Sequence, residues 1–483
     1  MVIATLKGRV WLARDSDGDG LEDTAQVYCD GLAAPYGVAA GDGYIDVINK
    51  YALLRLIDDD GDDVADRIVR LTSGWGHTDD YHDWAIGLPR DGQGATSRAL
   101  ACQQDDRSQA AATLRGAVIQ LVPREPTPDD PSEFAIDTLT RGHRFPMGIA
   151  RNRRGELFVT DNQGNYNPFN ELNHVVRGAR YGFINKLERS SDFRPELTPP
   201  TVDIPHPWTR SVNGICFLQR RAVSGYDDGD DDGDDESDDE SDDESDDESD
   251  DESDDESDDE SDDESDDDGP AGRTADAEAF GPFAGQLVGC EYDTRRLVRM
   301  SLDRLDGAMQ GAVYPLSTSE RATPENFVGP ICCATAPDGD VYVGNIRDSG
   351  WGGGNNVGDV VRMRMIADEL PAGIAEVRAT ADGFQIDFTR AVDAALAADV
   401  ASYSVASYRR ESTPQYGGDD IDRRTDKVLS VSVADDAMSA RIEVDAFRAG
   451  YLYELRLRNL AGDDAKFFPA EAYYTLRHIP AQR

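Results

Sequence analysis

Long apolar runs are missing from this 483-residue sequence. No stretch of about 18 apolar residues occurs, so nothing in it reads as a membrane-spanning helix. The opening Met1-Val-Ile-Ala-Thr-Leu-Lys7 lacks the charged-then-apolar pattern of a signal peptide. The chain opens inside what reads as a strand, so the expectation is an N-terminus, with any export signal, that lies upstream; the residues leave localisation open. The six cysteines, Cys29, Cys102, Cys216, Cys290, Cys332 and Cys333, form no Cys-x-x-Cys pair, no Cys-x-x-Cys-His haem attachment site and no zinc spacing. Buried thiols are expected instead. No long amphipathic helix is present, and positive charge is outnumbered, 48 Lys and Arg against 96 Asp and Glu. A surface this acidic repels phosphate, which excludes nucleic acid as a partner.

The formal net charge of −48 is concentrated. Roughly two thirds of it sits in the Asp-Asp-Glu-Ser units from Asp227 to Asp268, leaving about −16 for the rest. Like charges repel and no side chain in the block offers apolar area against the entropy of ordering, so 227–268 reads as a disordered, solvated insertion. It could hold divalent cations loosely or keep the protein soluble in salt. The default is a low-complexity insertion without a specific ligand.

What the rest contains is a recurring pattern: a short apolar run with Gly, a turn with Asp-Gly or Arg-Gly, then an alternating strand. It appears at Tyr36-Gly-Val-Ala-Ala-Gly-Asp-Gly-Tyr-Ile-Asp-Val47, at Ile86-Gly-Leu-Pro-Arg-Asp-Gly92, at Met147–Val159 and at Ile331–Val343, with weaker copies at Asn213–Leu218 and Gly285–Tyr292. Period-two alternation bounded by Gly and Asp means short antiparallel strands, and spacings of roughly 40 to 70 residues suit propeller blades with long loops. The expected fold is all-β: a six-bladed β-propeller over 1–370 whose N-terminal blade is partial. Closing blades into a ring protects strand edges and leaves an axial funnel lined by loops. After about Pro371 the alternation loses blade spacing, which predicts an immunoglobulin-like β-sandwich over 373–483.

Two acidic loops stand out. Asp15-Ser-Asp17-Gly-Asp19-Gly-Leu-Glu-Asp23 places carboxylates at positions 1, 3, 5 and 9 with Gly at 6, the front half of a calcium loop, and Asp58, Asp60, Asp62 and Asp66 repeat it. Neither has the bidentate Glu at position 12, and Asp63 stands where the sharp turn wants Gly. Weak calcium binding therefore competes with an Asp/Gly hairpin turn at the rim.

The segment Tyr81-His82-Asp83-Trp84 puts a His-Asp pair before an inner strand, and Gln104 and Asp105 follow that strand in a polar cluster. A carboxylate orients an imidazole and raises its basicity, as a general base needs. A third stretch runs Gly142-His-Arg144-Phe145-Pro146-Met-Gly148, then Asp161-Asn162-Gln163-Gly164, then Asn170-Glu171-Leu-Asn173 to Gly178-Ala-Arg-Tyr-Gly182. Together these resemble the soluble glucose/sorbosone dehydrogenase family, whose hallmarks are a Gly-x-Arg-Asn-Pro-x-Gly turn, an acidic Gln-Gly loop and an Asn-Glu-hydrophobic-Asn segment ending in Gly-x-x-Tyr-Gly.

The resemblance covers roughly residues 30 to 365 and is closest to the planctomycete-type branch named for membrane-bound dehydrogenases; that branch often adds a haem module, and this chain has no haem site. It implies export to the periplasm or beyond, and pyrroloquinoline quinone and calcium as cofactors. Position by position, His82 matches the catalytic base with Asp83 beside it, and Arg144 the clamp on a quinone carboxylate. Gln163 and Gly164 match the loop that holds calcium, with Asn162 adjoining, and Gln104 and Asp105 a polar patch. One position departs: the Asn of the signature is Phe145 here, which removes an amide expected to touch the cofactor. Lys186 and Arg347 are cations at blade ends that could meet a tricarboxylate. His206 and Asn213 are further funnel candidates, whereas His143, His174 and His478 read as structural.

The leading expectation is an oxidoreductase that oxidises a sugar or other alcohol, passing electrons through the quinone to an external acceptor with His82 taking the proton. The alternative is a non-catalytic propeller binding carbohydrate or protein. A calcium-dependent lactonase-like hydrolase using Asn162, Glu171 and Asn213 ranks last.

Overall fold

The computed structural model describes residues 1–79, 83–92, 94–102, 108, 110–127, 132–184, 188, 195–220, 276–305, 307–317, 327–346, 358–462 and 465–482. The acidic block 227–268 lies outside them. Among the described residues the architecture is all-β, with every paired strand antiparallel, and no helix is long and apolar enough to cross a membrane.

Six sheets follow one another along the chain, each a meander in which sequence neighbours pair. The first holds β1 (Val2–Thr5), β2 (Arg9–Arg14) and β3 (Thr24–Cys29). The second holds β4 (Gly37–Gly41), β5 (Tyr44–Ile48), β6 (Ala52–Ile57) and β7 (Arg67–Ser73). The third has β8 (Ala85–Ile86), β9 (Thr96–Leu100), β10 (Ala117–Pro123) and β11 (Phe134–Arg141), the fourth β12 (Pro146–Arg151), β13 (Leu157–Asp161), β14 (Asn170–His174) and β15 (Val202–Ile204). The fifth has β16 (Val212–Phe217), β17 (Leu287–Glu291), β18 (Arg296–Leu305) and β19 (Ala308–Pro315), and the sixth β20 (Pro330–Thr335), β21 (Val341–Ile346) and β22 (Gly358–Met363).

The recurring glycine of the sequence pattern has a steric cause. A Cβ on Gly37 would lie 3.0 Å from the Gly87 nitrogen, and one on Gly87 would collide with the Ile149 side chain. One on Gly148 would strike the Asn213 carbonyl, and one on Gly214 would lie 2.6 Å from the Cys332 Cα. The first strands of consecutive sheets, β4, β8, β12, β16 and β20, thus sit backbone against neighbouring chain in one series. Apolar side chains from adjacent sheets fill the spaces between: Ala150, Phe158, Leu172, Val212, Phe217, Leu287 and Val298 form one core across the fourth and fifth sheets.

The C-terminal segment adds β23 (Ile374–Ala379), β24 (Gly383–Phe388), β25 (Tyr403–Arg409), β26 (Ile421–Asp426), β27 (Val428–Val433), β28 (Ser439–Val444), β29 (Tyr451–Leu457) and β30 (Glu471–Leu476). One sheet runs β23-β24-β28-β27, and the order β30-β29-β25-β26 makes another that shares a core with it around Phe384, Tyr453 and Tyr474. The second is not separate from the preceding sheets. β30 pairs with β19 through Gly311 with Thr475, Ala312 with Tyr474 and Val313 with Tyr473, giving eight continuous strands. Arg299, fully buried, lies between the rings of Phe283 and Tyr314 and donates to the Ile374 carbonyl at 2.8 Å.

No cysteine is in a disulfide. Cys29, Cys102, Cys216 and Cys290 are buried as expected, but Cys333 is half-buried and Cys332 exposed. The Gly214 contact sets the backbone of Cys332 directly against the neighbouring strand, where the side chain at this point of β20 does not enter a core.

Candidate functional site

The turn before β12 and the loop after β13 meet because of one carboxylate. Asp161, the last residue of β13, is fully buried and accepts hydrogen bonds from the backbone N–H groups of Arg144 at 2.8 Å and Phe145 at 2.6 Å, and from the Asn167 amide at 2.9 Å. Burial pushes its carboxyl up to about 6 against the pull of those donors and of the Arg144 charge. His143, also fully buried, bonds Thr140 at 2.8 Å through Nε2 and packs at a tilt against the Tyr181 ring, centroids 4.8 Å apart. Burial, with Arg180 nearby, holds its imidazole down at about 3, so it stays neutral. This agrees with a structural role for His143.

Arg144 therefore leaves the turn in a fixed direction. Its guanidinium donates from Nη1 to the Gln163 carbonyl at 2.7 Å and packs on Gly164, where a Cβ would overlap it. The loop is pinned from within: the Gln163 N–H donates to Asn170 Oδ1 and its side-chain amide to the Pro168 carbonyl, each at 2.9 Å. Asn162 faces another way, accepting the Val212 N–H at 3.0 Å and donating to the Ser211 hydroxyl, which in turn reaches Asn213. Arg144, Asn162, Gln163 and Gly164, drawn from two separate motifs, are thus neighbours at the ends of β12 and β13, and all four are buried. Phe145 turns toward Trp84, which stacks on Tyr36 with centroids 5.0 Å apart.

Asp83 is buried and accepts from the Thr78 N–H at 2.7 Å and hydroxyl at 2.6 Å, while Arg115 holds its carbonyl. That bonding ties down the segment leading into β8. His82, Gln104, Asp105, Lys186 and Arg347 lie outside the described residues. His206 offers its carbonyl to Arg410 at 2.9 Å.

Glu171 stands opposite Asp161 on one side and Asp203 on the other, making a cross-strand row of three buried carboxylates. Burial and its two acidic neighbours push Glu171 well above the ordinary carboxylate range. Asp203 is also pushed up by burial, opposed by its ion pair with Arg477 at 2.8 Å.

The two acidic loops join β2 to β3 and β6 to β7, and their bonding is the same position for position. Asp15 accepts the N–H groups of Gly18 and Gly20, both at 2.7 Å; Asp58 accepts those of Gly61 at 2.7 Å and Asp63 at 2.9 Å. Asp23 and Asp66 close each loop onto the second residue, Ser16 and Asp59. Carboxylate oxygens of Asp15, Asp17 and Asp19 come within 4.8 Å of one another, as do those of Asp58, Asp60 and Asp66. Asp62 accepts the Val64 N–H, as its counterpart Asp19 accepts that of Leu21. Asp60 is pushed up by the charges of Asp62 and Asp66. These exposed loops belong to the first and second sheets, whereas Arg144 lies between β11 and β12.

The residues near Arg144 give two different answers about the cofactors that the resemblance implies. A buried guanidinium suits a carboxylate-bearing group. Calcium does not fit the Gln163-Gly164 carbonyls as they stand: the first accepts from Arg144, a cation at 2.7 Å, and the second from the Gly417 N–H at 3.0 Å.

Gly417 belongs to a loop that no motif of the sequence marks as part of the site. Residues 410–420, between β25 and β26, lie along 164–168: Tyr166 N–H donates to the Thr413 carbonyl at 2.7 Å, Asn165 to Pro414 at 2.7 Å and Ser412 to Tyr166 at 2.7 Å. Tyr416 pairs with Asn165 and sets its ring over Arg144, 5.1 Å from Cζ. The signal available was the Pro414-Gln-Tyr-Gly-Gly418 turn composition, in a region read as a separate sandwich.

The family described as "Domain of unknown function (DUF7133)" matches residues 4–198. No curated protein matches the chain in sequence. Among solved structures it is similar to an oxidoreductase (glucose dehydrogenase) from Thermus thermophilus, at 17% identity and TM-score 0.47 over 75% of this chain and 92% of that one. It is also similar to the soluble aldose sugar dehydrogenase from Escherichia coli in its apo-form, at 14% identity and TM-score 0.40 over 75% and 91%. A calcium structure of a Trichoderma reesei carbohydrate-active enzyme of family AA12 is similar at 11% identity and TM-score 0.45 over 75% and 90%. Likenesses this distant do not assign an activity to this chain.

Proposed function

We propose that the six consecutive sheets are the blades of a six-bladed β-propeller over 1–370, its N-terminal blade partial, that 373–483 is an immunoglobulin-like sandwich, and that the protein is a quinone-using dehydrogenase of sugars or other alcohols. One observation carries the functional reading: Arg144, Gln163 and Gly164, picked out by separate motifs of the resemblance, lie in contact at the ends of two strands. In this reading Arg144 holds a cofactor carboxylate, its aim set by Asp161, and His82 takes the substrate hydroxyl proton. Bound there, the quinone supplies a two-electron acceptor for the hydride leaving the same carbon. Electrons then pass to an external acceptor, and the site of action is the periplasm or the cell exterior.

The engaged carbonyls of Gln163 and Gly164, with Phe145 in place of the signature Asn, favour a second reading: a propeller that binds carbohydrate without oxidising it. Titrating the protein with pyrroloquinoline quinone, with and without calcium, while following absorbance and dye reduction over a panel of aldoses and alcohols separates the two. The dehydrogenase reading expects quinone binding that Arg144→Ala abolishes and turnover that His82→Ala lowers by about two orders of magnitude or more. Absence of both quinone binding and dye reduction in the wild type leaves the binding reading.

A further inference from the structure

Tyr416 is 64% exposed, the most open of the large apolar side chains among the described residues. Exposure of a lone aromatic is ordinary; the way this one is held is not. Its backbone bridges to Asn165, and its neighbour Gly417 donates to the Gly164 carbonyl. Gly417 has φ +71, a conformation that favours glycine, and a Cβ there would press on the Gln163 side-chain amide, 3.2 Å from Nε2. Farther back, Arg410 anchors the base of the loop to the Pro168 carbonyl at 3.1 Å, the His206 carbonyl at 2.9 Å and the Asp420 carboxylate at 2.9 Å. The loop is thus fastened at both ends to the segment that carries Gln163, and it holds one ring at the edge of the site with Arg144 against it.

We propose that Tyr416 is the substrate platform of this site, stacking on the apolar C–H face of a sugar ring, so that the C-terminal unit supplies specificity for cyclic carbohydrates over small acyclic alcohols. A tyrosine has only two side-chain torsions to order, and the cation beneath fixes this ring before anything binds, so stacking costs little conformational entropy. The guanidinium draws on one part of the ring while most of the rest stays open to solvent, which leaves a flat, amphipathic surface for a polyhydroxylated ring. An acyclic alcohol of two or three carbons has no such face to offer. The identity of the reaction rests on the dehydrogenase reading; the stacking does not.

The test compares full-length wild type with Tyr416→Ala, Tyr416→Phe and Tyr416→Trp. Equilibrium binding of D-glucose, D-xylose and maltose is measured by titration calorimetry, and dye reduction with added quinone and calcium is measured for the same sugars and for ethanol and glycerol. Tyr416→Ala is expected to weaken sugar binding, or raise KM, by about tenfold, to cost the acyclic alcohols less than the sugars so that the preference for sugars falls, and to melt within a few degrees of wild type. Phe and Trp restore sugar affinity. Unchanged sugar affinity in Tyr416→Ala overturns the platform and leaves the dehydrogenase reading standing, as does an equal loss for sugars and acyclic alcohols. Sugar binding that depends on Tyr416 in a protein that reduces no dye overturns the dehydrogenase reading and keeps the platform. Wild type that binds none of the sugars in either assay overturns the platform.

Discussion

Asp161 receives the backbone N–H of Arg144 at 2.8 Å, so the residue that ends β13 fixes the course of the turn that begins β12. Its other oxygen receives the Phe145 N–H at 2.6 Å. Two acceptors on one side chain are needed, and Asp161→Asn offers one acceptor and one donor. At least one buried N–H then loses its partner, a cost of about 1–3 kcal/mol. The expected outcome is a lower urea midpoint together with weaker quinone binding, since Arg144 is no longer aimed. A variant as stable as wild type would remove Asp161 from this role.

Close backbone approach at the first strands gives a second prediction. A Cβ at Gly214 would sit 2.6 Å from the Cys332 Cα, so Gly214→Ala forces two strands of neighbouring sheets apart. Overpacking of this kind costs roughly 1–3 kcal/mol. Gly18, with φ +77 and open space around it, is the control: alanine there meets backbone strain alone, about 1 kcal/mol. Chemical denaturation should rank Gly214→Ala below Gly18→Ala, and the reverse order would dissolve the steric account.

That glycine is also why the blade-like repeat was legible. Gly37, Gly87, Gly148 and Gly214 recur because each lies against the next sheet, and such a constraint leaves its mark at regular places in the chain. The contact among Arg144, Gln163 and Gly164 was visible as motif order for a similar reason, since β12 and β13 are paired neighbours. The loop holding Tyr416 was not. It meets Asn165 across some 250 residues of chain, and no local pattern encodes which distant turn will cover a site. Nor does period-two alternation reveal that β30 would extend the fifth sheet, because the pattern specifies which face is buried and not which edge is paired.

Protonation gives a third prediction. The His143 imidazole is held at about 3 in the folded protein by burial, while the unfolded chain takes up that proton near 6.5. Between those values the unfolded state binds more protons, so this group makes stability fall as pH drops from about 6.5 toward 3. Asp161, raised to about 6, acts oppositely: the folded state holds its proton first, so its contribution falls as pH rises from about 4 to 6. His143→Gln removes the first effect and keeps an acceptor and a donor for Thr140. Urea midpoints from pH 7 to pH 4 should decline less steeply in the variant. An identical slope would mean that His143 titrates normally.

The last prediction concerns the join between the fifth sheet and the C-terminal unit. Arg299 is fully buried, its guanidinium sandwiched by Phe283 and Tyr314 at 4.1 and 4.3 Å, and it donates to the carbonyls of Ile374 and Ala375 where β23 begins. Burial lowers its pKa to about 10, so it remains charged at neutral pH. Tyr314 supports the same seam, bonding Ser301 at 2.8 Å and the Val377 N–H at 2.7 Å. Arg299→Met keeps the stem's apolar bulk and removes the cation from the Ile374 carbonyl, while the Ala375 carbonyl keeps the Gln286 amide, a loss of about 1–3 kcal/mol. The β19–β30 pairing remains, so the C-terminal unit should loosen rather than detach. Calorimetry is expected to show one unfolding transition for wild type and a broadened or split one for Arg299→Met, with hydrogen exchange rising first in 374–379. If exchange rises evenly through the chain instead, the seam is no weaker than the sheets it joins, and Arg299 stabilises the protein as a whole.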